Sequence, residues 1–294
     1  MRGDRATRAG AIDRPRPTRS EGTTSRLFRR RADATLVRDA PRLRRFLPYI
    51  SPRRNDSLVY FESEVEIEAA LDFLRERNGT APREQRTTLF HLVLRAIARA
   101  LHERPHLNRF TAGGRLWQRR GVWITFSAKQ ELTDGAPILT VKREFPAGET
   151  LSDLVDDVAT RLRERRSGEL ERVDREMGLA LRFPPSIVRP VVALLRAADR
   201  FGALPGGMIR DDPLFTSVFV ANLGSIGLDA AYHHLWEWGT CGIFVTIGRV
   251  RKGPSRRRVL RLRYSFDERV EDGLYAAISI DGMRRSLESP RGLV

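Results

Sequence analysis

The stretch TTLFHLVLRAIARALHERP, residues 87–105, most limits what this chain can fold into. Leu89, Leu92, Val93, Ala96, Ile97 and Ala100 recur at helical spacing and form one apolar face. Thr87 or Thr88 is placed to cap this helix, and Pro105 ends it. A helix with one apolar face has to be buried against a second layer. Strand-like segments on both sides supply that layer. In SLVYFESEVEI (57–67), Val59, Phe61 and Ser63 alternate with Tyr60, Glu62 and Glu64. Further strands are expected in 114–120, 122–132, 136–145, 214–224, 241–250 and 257–267. Helices are expected in 66–79, 148–166 and 272–290. The sum is an α/β domain, a mixed sheet packed against helices, with no internal repeat and no glycine-rich phosphate loop.

The domain is expected over residues 41–294. Residues 1–40 are polar and Arg-rich and are expected to be disordered. Residues 41–52 form a basic, proline-bounded lead-in. Pro185 to Phe201 is amphipathic and reads as a buried or partner-covered helix in preference to a membrane-surface one. No apolar run reaches the length of a membrane span. Residues 1–30 hold no signal-peptide core, and their acids argue against a transit peptide.

The net charge is +16, and only Lys129, Lys142 and Lys252 among the 53 basic residues are lysines. Residues 1–40 hold 11 arginines against 5 acids, so +6 lies there. Such charge can serve nucleic-acid binding, but no helix-turn-helix, ribonucleoprotein or zinc-finger pattern accompanies it. A solvated basic surface is the favoured reading. One cysteine, Cys241, excludes an internal disulfide and a cysteine-based zinc site. A reducing cytoplasm follows, and no metal site is expected.

Four segments then carry a resemblance. VYFESEVEIEAALDFLRE, LFHLVLRAIARALHERPHLNRF, TSVFVANLGSIGLD and SFDERVEDG with the helix through LESP resemble, in order and spacing, the catalytic domain of dihydrolipoamide acyltransferases. These are the core subunits of 2-oxo acid dehydrogenase complexes, with a chloramphenicol acetyltransferase-like fold. Stand-alone bacterial relatives lacking the lipoyl and subunit-binding domains are the nearer likeness. They similarly carry Asp-Glu-Arg in the loop, a YHHL segment and an extra helix. The resemblance implies acyl transfer between a coenzyme A thioester and an acceptor, here unidentified, in a site between subunits of a homotrimer or a multiple of trimers. Coenzyme A thioester is the implied co-substrate, and no covalently bound cofactor is expected. Residues 170–212 look like a helical insertion.

The family's loop reads His-x-x-x-Asp-Gly. Asp272 and Gly273 match it, and the histidine falls on Glu268. The family's oxyanion hydroxyl, just before Asn-Leu-Gly, falls on Ala221, beside Asn222, Gly224 and Ser225. Two readings follow: a glutamate base, whose pKa burial would have to raise, or a structural carboxylate paired with Arg249 or Arg269. The resemblance makes Asp272 a loop anchor pairing with an arginine. His233 and His234 are substitute bases or ordinary loop histidines. Ser225 or Ser217 could replace the missing hydroxyl. His91 reads as a satisfied core histidine, Trp236 and Trp238 as core or interface aromatics, and Cys241 as a poor nucleophile. The rival function is a catalytically inactive trimeric binding or scaffold protein of the same fold.

Overall fold

The computed structural model describes residues 31–129, 138–166, 175 and 178–294. The amphipathic segment forms helix α3 (Leu89–Glu103), and its cap is Thr88. The Thr88 hydroxyl accepts from His91 N, and Thr88 N donates to His91 Nδ1 in return. Two backbone N–H groups at the start of the helix, those of Thr88 and His91, are thereby satisfied. His91 is buried, and burial lowers its pKa to about 4.

A six-stranded sheet runs in the order β2-β9-β8-β7-β5-β6. Its strands are β2 (Leu58–Glu66), β5 (Trp123–Lys129), β6 (Ile138–Glu144), β7 (Val218–Asn222), β8 (Ile243–Lys252) and β9 (Arg258–Asp267). The β5–β7 and β7–β8 pairs are parallel and the others antiparallel, so the sheet is mixed. One face carries Ile124, Phe126, Val218, Val220, Val245, Ile247, Leu260 and Leu262. Helices α2 (Glu68–Asn78), α3, α4 (Leu151–Arg166) and α7 (Gly273–Glu288) cover that face. The period-2 alternation sends the other residues of each strand to the opposite face. There they meet short α6 (Gly206–Asp211) and the loops that follow it. The α/β class expected from the sequence is the observed one. No helix among the described residues is long and apolar enough to cross a membrane.

A second sheet, β1-β4-β3, was not foreseen. It comprises β1 (Ala34–Leu36), β4 (Arg115–Arg119) and β3 (Arg109–Ala112). The expectation of disorder through residue 40 therefore fails for 31–40, while residues 1–30 lie outside the described region. Arg31 is 4% exposed. Its guanidinium contacts Asp33 at 2.9 Å and Asp199 at 2.8 Å and lies 5.1 Å from the Phe110 ring centre. An arginine that finds carboxylates and a ring packs inside, which composition alone does not reveal. The proline-bounded lead-in is a helix, α1 (Arg42–Ile50).

Helix α5 (Pro185–Phe201) has no buried residue, so of the two expectations for it, burial within the chain does not hold. Leu195 and Ala198 rest against Leu204, Ile209 and Phe215, while Ile187, Val191 and Leu194 remain exposed. Strand β7 is shorter than the apolar run 214–224. Its flanking groups are committed elsewhere: Leu214 N donates to Asp212 and the Ser217 hydroxyl accepts from Trp123 N. The ends of the strands expected at 122–132 and 136–145 also reach outside the described residues, as does the start of the 170–212 segment.

Candidate active site

The outer sheet face is built by register. β7 and β8 pair Phe219 with Phe244 and Ala221 with Thr246. The two phenyl rings stack with centres 5.2 Å apart. His233 stacks on Phe244 at 4.1 Å with an 11° tilt, and His234 stacks on His233 at 4.5 Å. Trp236 closes the group against Phe219 and Phe244. Ala221 packs against the same cluster. The loop bearing the histidines is fixed by three side chains. Asn55 pairs both ways with Leu235, Nδ2 donating to O at 2.6 Å and Oδ1 accepting from N at 3.1 Å. Thr246 donates to Ala231 O at 2.6 Å and Arg263 to Ala230 O at 2.8 Å.

This anchoring decides the tautomer of His233. Its Nδ1 lies 2.6 Å from His234 O. A carbonyl oxygen only accepts, so the bond requires the hydrogen on Nδ1 and leaves Nε2 with a free lone pair. Partial burial lowers the pKa of His233, against the opposing pull of that carbonyl. Neutral imidazole with a bare Nε2 is the form a general base needs.

Glu268 is in a different situation. Its backbone is held, N donating to Ser57 O at 3.0 Å and O accepting from Arg44. Its side chain is exposed and has no ion-pair partner among the described residues. Within one chain its side chain is not buried, and of the arginines expected to pair with it, Arg269 pairs elsewhere and Arg249 makes no ion pair with it. Arg269 donates to both oxygens of Asp267, Nε at 2.8 Å and NH2 at 2.7 Å. Both residues are almost fully buried. Arg54 approaches Asp267 at 3.8 Å and donates to Trp236 O and Gly239 O, tying this loop to the aromatic one.

Asp272 is corrected likewise. It is exposed and caps α7, accepting from Tyr275 N at 2.8 Å, with no arginine partner among the described residues. The buried carboxylate that anchors the loop is Asp267, five positions earlier, which sequence reasoning missed. Its signal was present as Asp267-x-Arg269, at the end of an apolar strand. A Cβ at Gly273 would meet nothing, so crowding within the chain does not demand that glycine.

The remaining candidates sort cleanly. Asn222 Oδ1 accepts from Ser225 N, and the Ser225 hydroxyl donates to Asn222 O, closing the turn after β7. Gly224 packs directly on the Gly248 carbonyl, where a Cβ would collide. Ser217 and Ser225 are thus both engaged, and neither hydroxyl substitutes at Ala221. A buried hydroxyl without a partner sits instead at Ser265, beside Phe244 in the β8–β9 register. Trp238 donates to Asp212 at 2.6 Å and packs edge-on against Phe215. Cys241 is buried, donates to Ile243 O, and its pKa is raised by burial, which removes it as a nucleophile.

The chain alone keeps Ala221 and Glu268 apart. Register leads from Ala221 through Thr246 to Arg263. Glu268 lies five residues further along. At about 3.3 Å per residue and ~4.8 Å per strand, the separation is roughly 16 Å along the sheet and ~10 Å across it.

No family model matches the chain, and no curated protein matches it. Solved structures do. The protein described as probable dihydrolipoamide acetyltransferase from Listeria monocytogenes 4b F2365 superposes with a TM-score of 0.58 at 15% identity, covering 86% of this chain and 94% of that one. The Azotobacter vinelandii dihydrolipoamide acetyltransferase gives 0.58 at 17%, covering 94% and 99%. A truncated catalytic core of the 2-oxoacid dehydrogenase multienzyme complex from Thermoplasma acidophilum gives 0.57 at 13%, covering 86% and 98%. The chain has the fold of acyltransferase catalytic cores. At these identities the likeness establishes the fold.

Proposed function

We propose that the protein catalyses acyl transfer from a coenzyme A thioester to a nucleophilic acceptor, with His233 as the base in place of a group at Glu268. The single observation carrying this is the His233 imidazole, held neutral with its Nε2 lone pair free beside Ala221's face of the sheet. The Azotobacter structure concerns the roles of a serine, a histidine and an asparagine in its catalytic mechanism. By resemblance those positions are Ala221, Glu268 and Asp272 here: the serine and the histidine are replaced, while Asp272, an asparagine in the Azotobacter protein, keeps the aspartate of the family's loop motif. With a thiol acceptor, Nε2 takes the thiol proton and the thiolate adds to the thioester carbonyl. The bond to the coenzyme A sulfur breaks, and the departing thiolate recovers the proton from the imidazolium.

Assembly as a homotrimer rests on the likeness to acyltransferase cores; in such an assembly the Glu268 loop of one copy would face the β7 turn of the next. The structural neighbours are themselves cores of multienzyme complexes. The test is release of coenzyme A from acetyl-CoA in the presence of simple thiols, with sedimentation run in parallel. His233→Asn keeps a planar, Nδ-donating group and is expected to lose ~10²–10⁴ in rate, while Glu268→Gln changes it less than tenfold. An unchanged rate in His233→Asn overturns the assignment. A natural trimer inert toward all thiols would establish the rival reading, a binding or scaffold protein.

A further inference from the structure

The groove between α1 and the three-stranded sheet collects basic side chains. It encloses about 590 Å³ and is lined by Arg38, Arg42, Arg45 and Arg115 together with Phe46 and Tyr49. No carboxylate lines it. Arg45 N donates to Pro41 O in the first turn, but the side chains of Arg38, Arg42 and Arg45 make no ion pair or hydrogen bond with any described residue. Elsewhere the pattern is different: Arg251, Arg261 and Arg263 on the outer sheet face are all matched by Glu62, Glu64 or Asp229. The nearest acid in sequence, Asp39, lies close enough to Arg109 to stabilise its charge.

Arg42, Arg45, Phe46 and Tyr49 share one face of α1, at i, i+3, i+4 and i+7. That face sets two guanidinium groups beside two rings that are 58% and 63% exposed. The ring centres are 6.0 Å apart and tilted by 38°, too close to admit a third ring between them. Tyr49 is held against the β3–β4 turn, where Gly114 has φ +70° and a Cβ would come within 3.1 Å of the phenol ring. Guanidinium forks bind phosphate oxygens in bidentate fashion, and exposed tyrosine and phenylalanine faces stack on planar bases.

From this juxtaposition we propose that the α1 groove is a binding site for a nucleoside di- or triphosphate, its phosphates on Arg38, Arg42 and Arg45 and its base on Tyr49. The groove shares no lining residue with the His233 face, and the test below needs no acyl transfer.

Equilibrium dialysis of the full chain against ADP, AMP, adenosine, inorganic tripolyphosphate and a short oligothymidylate tests it, with no turnover required. ADP is expected to bind on the order of micromolar, tighter than AMP and much tighter than adenosine. Arg42→Ala with Arg45→Ala should weaken ADP by at least roughly tenfold per guanidinium removed. Tyr49→Ala should weaken ADP and leave tripolyphosphate unchanged. These residues are solvent-exposed, so the melting curve serves as the folding control. As a charge control, Arg75→Ala with Arg291→Ala removes two exposed, carboxylate-paired arginines and should leave ADP binding intact. Absence of ADP binding at millimolar concentration overturns the proposal, as does an equal loss in the charge control. Tripolyphosphate binding as tightly as ADP would refute base recognition. Oligothymidylate binding tighter than ADP would replace the nucleotide with single-stranded nucleic acid.

Discussion

Asp267→Ala is expected to damage the fold more than any other single change in the loop from 267 to 273. Asp267 is 1% exposed and accepts from Arg269 Nε at 2.8 Å, from Arg269 NH2 at 2.7 Å and from the Arg269 backbone at 3.2 Å. Arg54, 5% exposed, lies 3.8 Å away. Removing the carboxylate leaves one buried guanidinium without its anion and a second with less compensation. Breaking such a pair typically costs about 3–5 kcal/mol, much of it the penalty of the stranded charge. Arg269 keeps its bonds to Ser51 O and Pro52 O, which places the expected cost at the lower end. For a domain of this size 1 kcal/mol corresponds to roughly 2–4 °C, so the melting temperature should fall by about 6–12 °C. Circular dichroism melts at neutral pH measure it. Asp272→Ala is the control: it removes one exposed cap bond, worth about 1 kcal/mol, so about 2–4 °C. If the two substitutions lower the melting temperature equally, or Asp272→Ala lowers it more, the assignment of the loop anchor to Asp267 is wrong.

Gly224→Ala should destabilise by about 1–3 kcal/mol, because the added methyl collides with the Gly248 carbonyl and the strand end has to move; chemical denaturation reads this directly. Ser265→Ala should be neutral or slightly stabilising, since the buried hydroxyl it removes has no partner; a loss above ~1 kcal/mol would reveal an unrecognised bond. His91, with its folded pKa lowered to about 4 by burial, contributes stability in full above its ordinary value of 6.5 and loses it as pH falls through 4. Over that window the loss is about 3 kcal/mol, and His91→Gln should flatten this part of the stability–pH curve.

Much of the fold was legible because its core elements are strongly periodic. α3, β2 and β9 each read correctly from spacing, and their partners followed from the need to bury one face. What stayed hidden depends on arginine. Forty residues of Arg-rich chain read as solvated, yet Arg31 is buried between two carboxylates and over aromatic rings, with β1 starting three residues later. Composition treats each guanidinium as a charge seeking water. It does not register that a planar cation with a fork of donors packs well once a carboxylate and a ring are in place. α5 is the opposite case: its apolar residues promised a buried or partner-covered helix, and within the chain only the Leu195–Ala198 side meets a surface.

The site was legible in position and not in role. Asn-Leu-Gly and Asp-Gly mark where a strand turns and a helix starts, and Asn222, Gly224 and Asp272 serve those turns in the structure. Backbone geometry therefore accounts for these residues without any chemistry. The chemical question rests on what lies between strands, and linear sequence does not carry it. Phe219 and Phe244 become neighbours only through the β7–β8 register, and only that pair gives His233 a ring to stack on. The same register puts Glu268 far down the sheet from Ala221, so a base at 268 could serve that face only from another copy of the chain. A base at 233 already lies on it. The two alternatives thus predict different assembly requirements. If His233 is the working base, subunits that are inactive through His233→Asn cannot be rescued by mixing with subunits carrying Glu268→Gln beyond the activity the latter bring. If instead the base acts across the interface from Glu268, subunits defective at Glu268 and subunits blocked at the Ala221 face would regain activity when co-assembled, because some interfaces would then contain both intact halves.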